Sequence, residues 1–95
     1  MASVGVLTLE LRLENSFSLK DKRQVVRSLK DRLRRKFNVA VAEIDYQDLW
    51  QRAALAAVTV SSDHGYAEKL LQSVEQEAAS LLGSELAATN VEWLA

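Results

Sequence analysis

The first strand-like stretch of the chain reads Val4-Gly5-Val6-Leu7-Thr8-Leu9-Glu10-Leu11-Arg12-Leu13. Its four leucines alternate with Thr8, Glu10 and Arg12. An alternation of apolar and polar residues with a period of two is typical of a strand that buries one face. We therefore predict a first strand over Val4–Leu13, with its leucines turned to the core.

An amphipathic helix is predicted after a short polar loop, Asn15–Ser18. Ser18 followed by Asp21 is an acidic variant of the capping box, which begins helices. The apolar residues that follow fall within an arc of about 80° on a helical wheel; they are Leu19, Val26, Leu29, Leu33 and Phe37. The helix is expected to end at Asn38, because asparagine tolerates the left-handed backbone of many helix ends.

The rest of the chain predicts two strands, a second helix and a last strand. The strands run from Val39 to about Tyr46 and from about Trp50 to Ser61, with a turn near Gln47 and Asp48. Ser62 and Asp63 begin the second helix, Gly83 closes it, and Leu86–Leu94 is the last strand. This β-α-β-β-α-β order predicts one α+β domain over residues 1–95. It is a ferredoxin-like sandwich, a four-stranded antiparallel sheet with two helices on one face.

Composition excludes several classes of function. The 95 residues contain no cysteine, which rules out disulfides, thiol nucleophiles and cysteine-based zinc sites. The longest apolar run, Ala53–Val58, is far too short to cross a membrane, and the first residues lack the basic and apolar regions that are typical of a signal peptide. No phosphate-binding loop or dinucleotide glycine pattern occurs. We therefore expect a cytoplasmic protein without enzymatic activity, cofactor or metal.

Charge is distributed very unevenly. Nine of the twelve lysines and arginines lie within Lys20–Lys36, where two acids reduce the local charge to +7. The other residues carry three bases and eleven acids, a charge of −8. Crowding like charges on one segment costs self-repulsion, so an anionic partner is the first hypothesis.

The helical wheel gathers five cations, which we call the basic stripe: Lys20, Arg23, Arg27, Lys30 and Arg34. Like charges four residues apart, such as Arg23 and Arg27, each cost an isolated helix about 0.2–0.5 kcal/mol. Phosphate contact would account for the stripe, since arginine matches phosphate oxygens and binding releases counterions. We predict a nucleic-acid site here, with Arg35 and Lys20 peripheral. The alternative is that the arginines pair internally with Glu68 and Glu75, while Lys22 and Lys36 lay their stems over the core edge.

The sheet face away from the helices has a different character. The third strand has no aromatic residue between Arg52 and Val58, so bases cannot stack there as they do on RNA-recognition motifs. Apolar residues occur on both faces of that strand, and Val4 and Val6 add to the open one. Trp50 and Trp93 are candidates for the same exposed area. An exposed apolar face predicts homodimerisation through the sheet.

The second hairpin carries a group of polar residues. Glu43, Asp45 and Asp48 lie beside Trp50 and Arg52, and such carboxylates could hold a hard cation. Glu43 and Asp45 alternate along a strand, however, and ordinary solubility of a sheet edge explains them as well. We interpret the hairpin as a possible interaction site and not as a metal centre. His64, the single histidine, is interpreted as a surface residue at a helix start.

Two motifs resemble those of a known family. They are Ser18-Leu19-Lys20-Asp21-Lys22-Arg23 and Asp48-Leu49-Trp50-Gln51-Arg52-Ala53, and the chain is similar over its whole length to the YlxP-like family of bacterial proteins of unknown function. The resemblance implies a ferredoxin-like fold and a bacterial cytoplasmic protein. It also implies genes often found near those for translation and ribosome maturation. It offers no catalytic residues, but the hairpin motif implies a role beyond stability.

These observations favour a small non-enzymatic binding protein that docks its first helix on structured RNA, such as a ribosomal particle. The alternative is a homodimeric interaction module whose basic helix meets an acidic protein surface.

Overall fold

The structure is a computed structural model that describes residues 1–95. It confirms the predicted order of elements. These are strands β1 (Ser3–Arg12), β2 (Ala40–Asp45), β3 (Arg52–Ser61) and β4 (Leu86–Trp93), and helices α1 (Leu19–Lys36) and α2 (His64–Leu82), with one 3₁₀ turn at Gly83–Glu85.

The four strands form a single antiparallel sheet in the order β2-β3-β1-β4. The buried leucines of β1 face both helices, and Leu7 and Leu9 are fully buried. Val26, Leu29 and Leu33 of α1 share one core with Leu71, Val74 and Ala78 of α2. Both helices therefore cover the same face, which confirms the ferredoxin-like arrangement.

The start of α1 follows the prediction and its end does not. Ser18 Oγ accepts a hydrogen bond from Asp21 N at 3.0 Å, and Asp21 Oδ2 accepts one from Phe17 N at 3.0 Å. At the other end, Phe37 caps the helix with extended backbone and donates its N–H to the Leu33 carbonyl. Asn38 has no positive φ. The prediction of a left-handed asparagine cap was wrong, because the chain turns directly into β2.

A close approach fixes the end of the sheet where β1 meets β4. Gly5 lies opposite Trp93, and a Cβ atom at Gly5 would stand 2.7 Å from both the Trp93 ring and Leu71 Cδ1. Trp93 therefore packs on the helix side of the sheet, against the core and 4.1 Å from the His64 ring. The expectation that Trp93 enlarges the open face was wrong, because its place in the β4 register sets it on the other side.

The open face of the sheet is mostly small and aliphatic. Across β1 and β3, Val4 pairs with Val60 and Val6 pairs with Val58, and Val60 is 59% exposed. Ala40 and Ala42 of β2 continue this row in register with β3. No aromatic residue of β1 or β3 lies on this face.

The β2–β3 connection is longer than predicted, since β3 begins at Arg52 and not near Trp50. Tyr46 takes a positive φ of 63°, and its carbonyl accepts a hydrogen bond from Leu49 N at 3.0 Å. The pairing of β2 with β3 also shifts between Glu43 and Asp45. The end of this hairpin is therefore irregular.

Candidate nucleic-acid interface

The nine cations of α1 divide into paired and unpaired groups. Lys22, Arg32, Arg34 and Lys36 each lie within 4.0 Å of a carboxylate oxygen. No such partner exists for the other five, which are Lys20, Arg23, Arg27, Lys30 and Arg35. The stripe is thus largely free of internal neutralisation.

A shallow groove of about 350 Å³ runs between α1 and the side of β2. Four of the five stripe residues line it: Arg23, Arg27, Lys30 and Arg34. Asp31 and Glu43 are the acids at its border. Asp31 Oδ1 lies 2.9 Å from Arg34 Nη2, so Arg34 is the one groove cation that is already paired. Basic walls around a concave surface concentrate positive potential, which suits a phosphate backbone.

The paired cations on the other side of α1 bind α2 through a single carboxylate. Glu77 lies 2.7 Å from Lys36 Nζ and 3.1 Å from Arg32 Nη1. The hydrogen bond from Lys36 is the main reason that the pKa of Glu77 falls below its ordinary value of 4.5, and the charges of Lys36 and Arg32 add to it. These two cations therefore link the helices.

The expected internal partners, Glu68 and Glu75, do not reach α1. Glu68 lies 3.8 Å from His64, and Glu75 accepts a hydrogen bond from Thr89. The idea that they neutralise the arginines was wrong. They share a side of α2 that faces away from α1.

Lys22 is buried completely, with a side chain only 2% exposed. Its ammonium donates to three carbonyl oxygens of the β2–β3 connection: Tyr46 at 2.7 Å, Gln47 at 3.2 Å and Arg52 at 3.3 Å. Glu43 Oε2 lies 3.0 Å away and balances the charge. It receives no hydrogen bond of good geometry, since the three ammonium protons are taken by carbonyls. Lys22 therefore does not lie over the core edge as expected, because it anchors the hairpin from inside.

The hairpin is tied to the loop before α1 as well. Gln51 Nε2 donates to the carbonyls of Glu14 and Ser16, and Leu13 N donates to the Gln51 carbonyl. Arg52 stacks 4.0 Å from the Tyr46 ring centre and donates to its hydroxyl. The two sequence motifs thus meet at one end of the molecule, which gives both a structural role.

The hairpin acids do not converge on a common point. Glu43 is turned to the helix side against Lys22, while Asp45 is in register with Ala54 and accepts a hydrogen bond from Tyr46 N. The expectation that Glu43 and Asp45 share one surface was wrong, because the irregular pairing between them breaks the alternation. Asp48 is exposed, and no group of three or more His, Asp or Glu residues is arranged to hold a metal ion.

Arg35 lies apart from the basic stripe. It borders a second groove, of about 600 Å³, between α1 and α2, together with Arg32, Leu81 and Glu85. Arg35, which was predicted at the periphery of the site, therefore lies on a different surface of α1 from the basic stripe.

Sequence reasoning missed the burial of Lys22, although a signal was present. Lys22 is four residues before Val26, seven before Leu29 and eleven before Leu33, so the wheel sets it in the middle of the apolar face. A cation at such a position needs buried acceptors. Here they come from residues 24 to 30 positions away along the chain, which no local pattern reveals.

None of the helices combines the length and the apolar character that crossing a bilayer requires.

Comparison with known proteins identifies relatives and neighbours of the same fold. The family model described as "Protein of unknown function (DUF503)" matches residues 4–91. The uncharacterized protein YlxP of Bacillus subtilis (strain 168) is 38% identical over 90 residues, which cover 95% of this chain and 98% of that protein.

Two solved structures share the fold at low identity. The de novo designed protein Foldit4 has a TM-score of 0.63 at 14% identity, over 100% of this chain and 98% of that one. A point mutant of SnoaB, a cofactor-independent oxygenase from Streptomyces nogalater, has a TM-score of 0.50 at 12% identity, over 99% and 91%. At such identities the likeness concerns the fold alone.

Proposed function

The chain belongs to the DUF503 family of proteins of unknown function, and we propose that it is a non-enzymatic binding protein of the bacterial cytoplasm. Its partner is structured RNA, such as a ribosomal particle, which lies against the exposed side of α1. The phosphate contacts come from the unpaired cations of the basic stripe, which are Lys20, Arg23, Arg27 and Lys30.

One observation carries this proposal: Lys20, Arg23, Arg27 and Lys30 have no carboxylate partner within the molecule. The chain has thirteen acids, more than enough to neutralise them, yet Glu77 on α2 holds only Arg32 and Lys36. Unpaired cations on one side of a helix repel one another as long as no anion is bound. A polyanion relieves that repulsion and gains from counterion release.

The dimensions of the stripe suit a nucleic-acid backbone. Its unpaired cations extend from Lys20 to Lys30, ten positions that correspond to about 15 Å along the helix. Contacts spread over this length read phosphate positions and shape and not base sequence. The groove between α1 and β2 gives the backbone a concave seat.

The test is a matched pair of charge reversals in an RNA-binding titration. The double variant Arg23→Glu and Arg27→Glu removes two stripe cations. The control, Arg12→Glu and Lys69→Glu, makes the same change in net charge at two exposed cations that lie outside α1. With ribosomal RNA as the probe, we expect the stripe variant to lose at least tenfold in affinity, while the control loses much less.

Equal losses in the two variants would mean that only net charge matters, and no binding by the wild-type protein would end the proposal. A protein partner that stays bound after nuclease treatment would instead favour docking on an acidic protein surface.

A second role, homodimerisation through the open face of the sheet, is favoured by the adjacent pairs Val4–Val60 and Val6–Val58. Four exposed or half-buried valines side by side resemble the apolar centre of an interface. This proposal is independent of the RNA site, because the basic stripe lies on the opposite side of the molecule. Sedimentation equilibrium tests it, and a monomer mass at all concentrations would contradict it.

A further inference from the structure

Large apolar side chains are exposed at the end of the molecule where the two sequence motifs meet. Phe17 is 69% exposed, Trp50 is 53% exposed and Leu49 is 46% exposed. Phe17 belongs to the loop before α1, whereas Leu49 and Trp50 belong to the β2–β3 connection. None of them contributes to the core.

These side chains are held on a stiff support, although they lie in loops. The Phe17 N–H donates to Asp21 as part of the helix cap. The next residue after Trp50 is Gln51, whose side chain donates to the Ser16 carbonyl, directly before Phe17. From inside, the Lys22 ammonium fixes the same connection. Phe17 and Trp50 thus lie directly beside a hydrogen bond that joins their two loops, so the two loops are neighbours in space.

Resting on the proposed function, we propose that Phe17 and Trp50 form a stacking platform for unpaired bases of the RNA whose phosphates lie along the basic stripe. Phe17 is only three positions before Lys20, where the stripe begins. Aromatic faces bind splayed-out bases of loops and bulges, and the flat, rigid ring loses little entropy on binding. The ligand class is therefore structured RNA with a single-stranded loop or bulge next to a helical segment.

The charges around the platform agree with bases and not phosphates at this position. Glu14 and Asp48 are exposed in the same two loops, and neither has an ion-pair partner. Carboxylates repel phosphates, but they accept hydrogen bonds from the amino groups of bases. The acidic aromatic end and the basic stripe therefore contact different parts of the same nucleotide chain.

The arrangement differs from that of sheet-based RNA readers. In those proteins the aromatic residues stand on the central strands, whereas here the open face of β1 and β3 has none. Phe17 lies just before α1 and Trp50 lies in the β2–β3 connection that Lys22 of α1 binds, so the platform adjoins the end of α1 where the basic stripe begins.

The experiment compares two RNA probes, a short blunt-ended duplex and the same duplex with an unpaired bulge. Wild-type protein is expected to bind the bulged probe more tightly. Stacking of one base is worth roughly 5- to 100-fold in affinity. The double variant Phe17→Ala and Trp50→Ala should lose that preference, bind the blunt duplex as before and keep the same salt dependence.

The matched control is Tyr66→Ala, which removes an aromatic residue that is 61% exposed on α2, away from both motifs. It should keep the preference for the bulge, and so should the conservative variant Trp50→Phe. Because all three positions are exposed, circular dichroism should report unchanged folding.

The outcomes separate the two proposals. If the double variant keeps the bulge preference, or if wild-type protein binds both probes equally, the stacking platform is refuted while RNA binding by the stripe stands. If wild-type protein binds neither probe, both proposals fail.

Discussion

At the scale of single residues, Lys22 holds together the end of the molecule where the two sequence motifs meet. A buried ammonium is costly unless its charge is balanced and its protons are bonded. Here three carbonyl oxygens take the protons and Glu43 supplies the opposite charge. The side chain thereby attaches the β2–β3 connection to the first turns of α1, which brings the exposed aromatic loops beside the start of the basic stripe.

We predict that Lys22→Met lowers the free energy of unfolding by about 3–5 kcal/mol. It removes the cation but leaves Glu43 and three carbonyls without their partner. Urea unfolding at neutral pH measures the change.

Lys20→Met is the matched control, because Lys20 is exposed and unpaired on the same helix turn. Its effect should stay within about 0.5 kcal/mol. Equal stabilities of the two variants would contradict the anchoring role of Lys22.

The periodicity of α1 was enough to place Lys22 on the apolar face, but not to predict its partners. A lysine stem on such a face usually reaches outward to water. Whether it does so depends on acceptors from a distant hairpin, which here are the carbonyls of Tyr46, Gln47 and Arg52. The exposed position of the stripe residues could be predicted from the helical wheel alone, because an exposed cation is solvated by water and needs no acceptor from a distant part of the chain.

At the scale of elements, α1 has three sides with different tasks. One side packs into the core through Val26, Leu29 and Leu33. A second joins α2 through Glu77, and the third presents the basic stripe. The wheel predicted the first and third sides. The wheel did not predict the second side, because it indicated Glu68 and Glu75 as the α2 partners. Which residues of two packed helices face each other depends on how the helices are rotated and shifted relative to one another, and the periodicity of either helix does not determine this.

The link through Glu77 predicts a dependence of stability on pH. Its pKa is lower in the folded protein than its ordinary value of 4.5, so the pairing stabilises the fold above that value. The contribution is lost as pH falls through the folded-state pKa. In urea unfolding at a series of pH values, the difference between wild type and Glu77→Gln should therefore shrink on acidification.

Glu68→Gln serves as the control, since Glu68 contacts His64 of its own helix and not α1. If the difference between wild type and Glu77→Gln grows with acid, the sign of the linkage is wrong.

At the scale of the whole molecule, the residues that determine the fold differ from those that carry the exposed positive charge. The order of elements predicted the ferredoxin-like sheet because handedness and connection rules leave few alternatives. The shift in pairing between Glu43 and Asp45 could not be predicted, because the contacts that hold this connection join residues far apart in the chain, such as Lys22 and Gln47. The unpaired cations of α1 stay on the outer side of this frame, where no internal carboxylate lies within ion-pair distance of them.

The central claim is that the unpaired cations of α1, and not the paired ones, contact RNA phosphates. The most direct measurement is the dependence of RNA affinity on salt concentration for wild type, Arg27→Gln and Arg32→Gln. Both variants remove one exposed arginine from the same helix, but Arg27 is unpaired whereas Arg32 is bound to Glu77.

With about four phosphate contacts, the log–log slope of wild type should be near −3 to −4. Arg27→Gln should reduce its magnitude by about 1, and Arg32→Gln should leave it unchanged. Equal slopes for all three proteins, or a loss only in Arg32→Gln, would contradict the account.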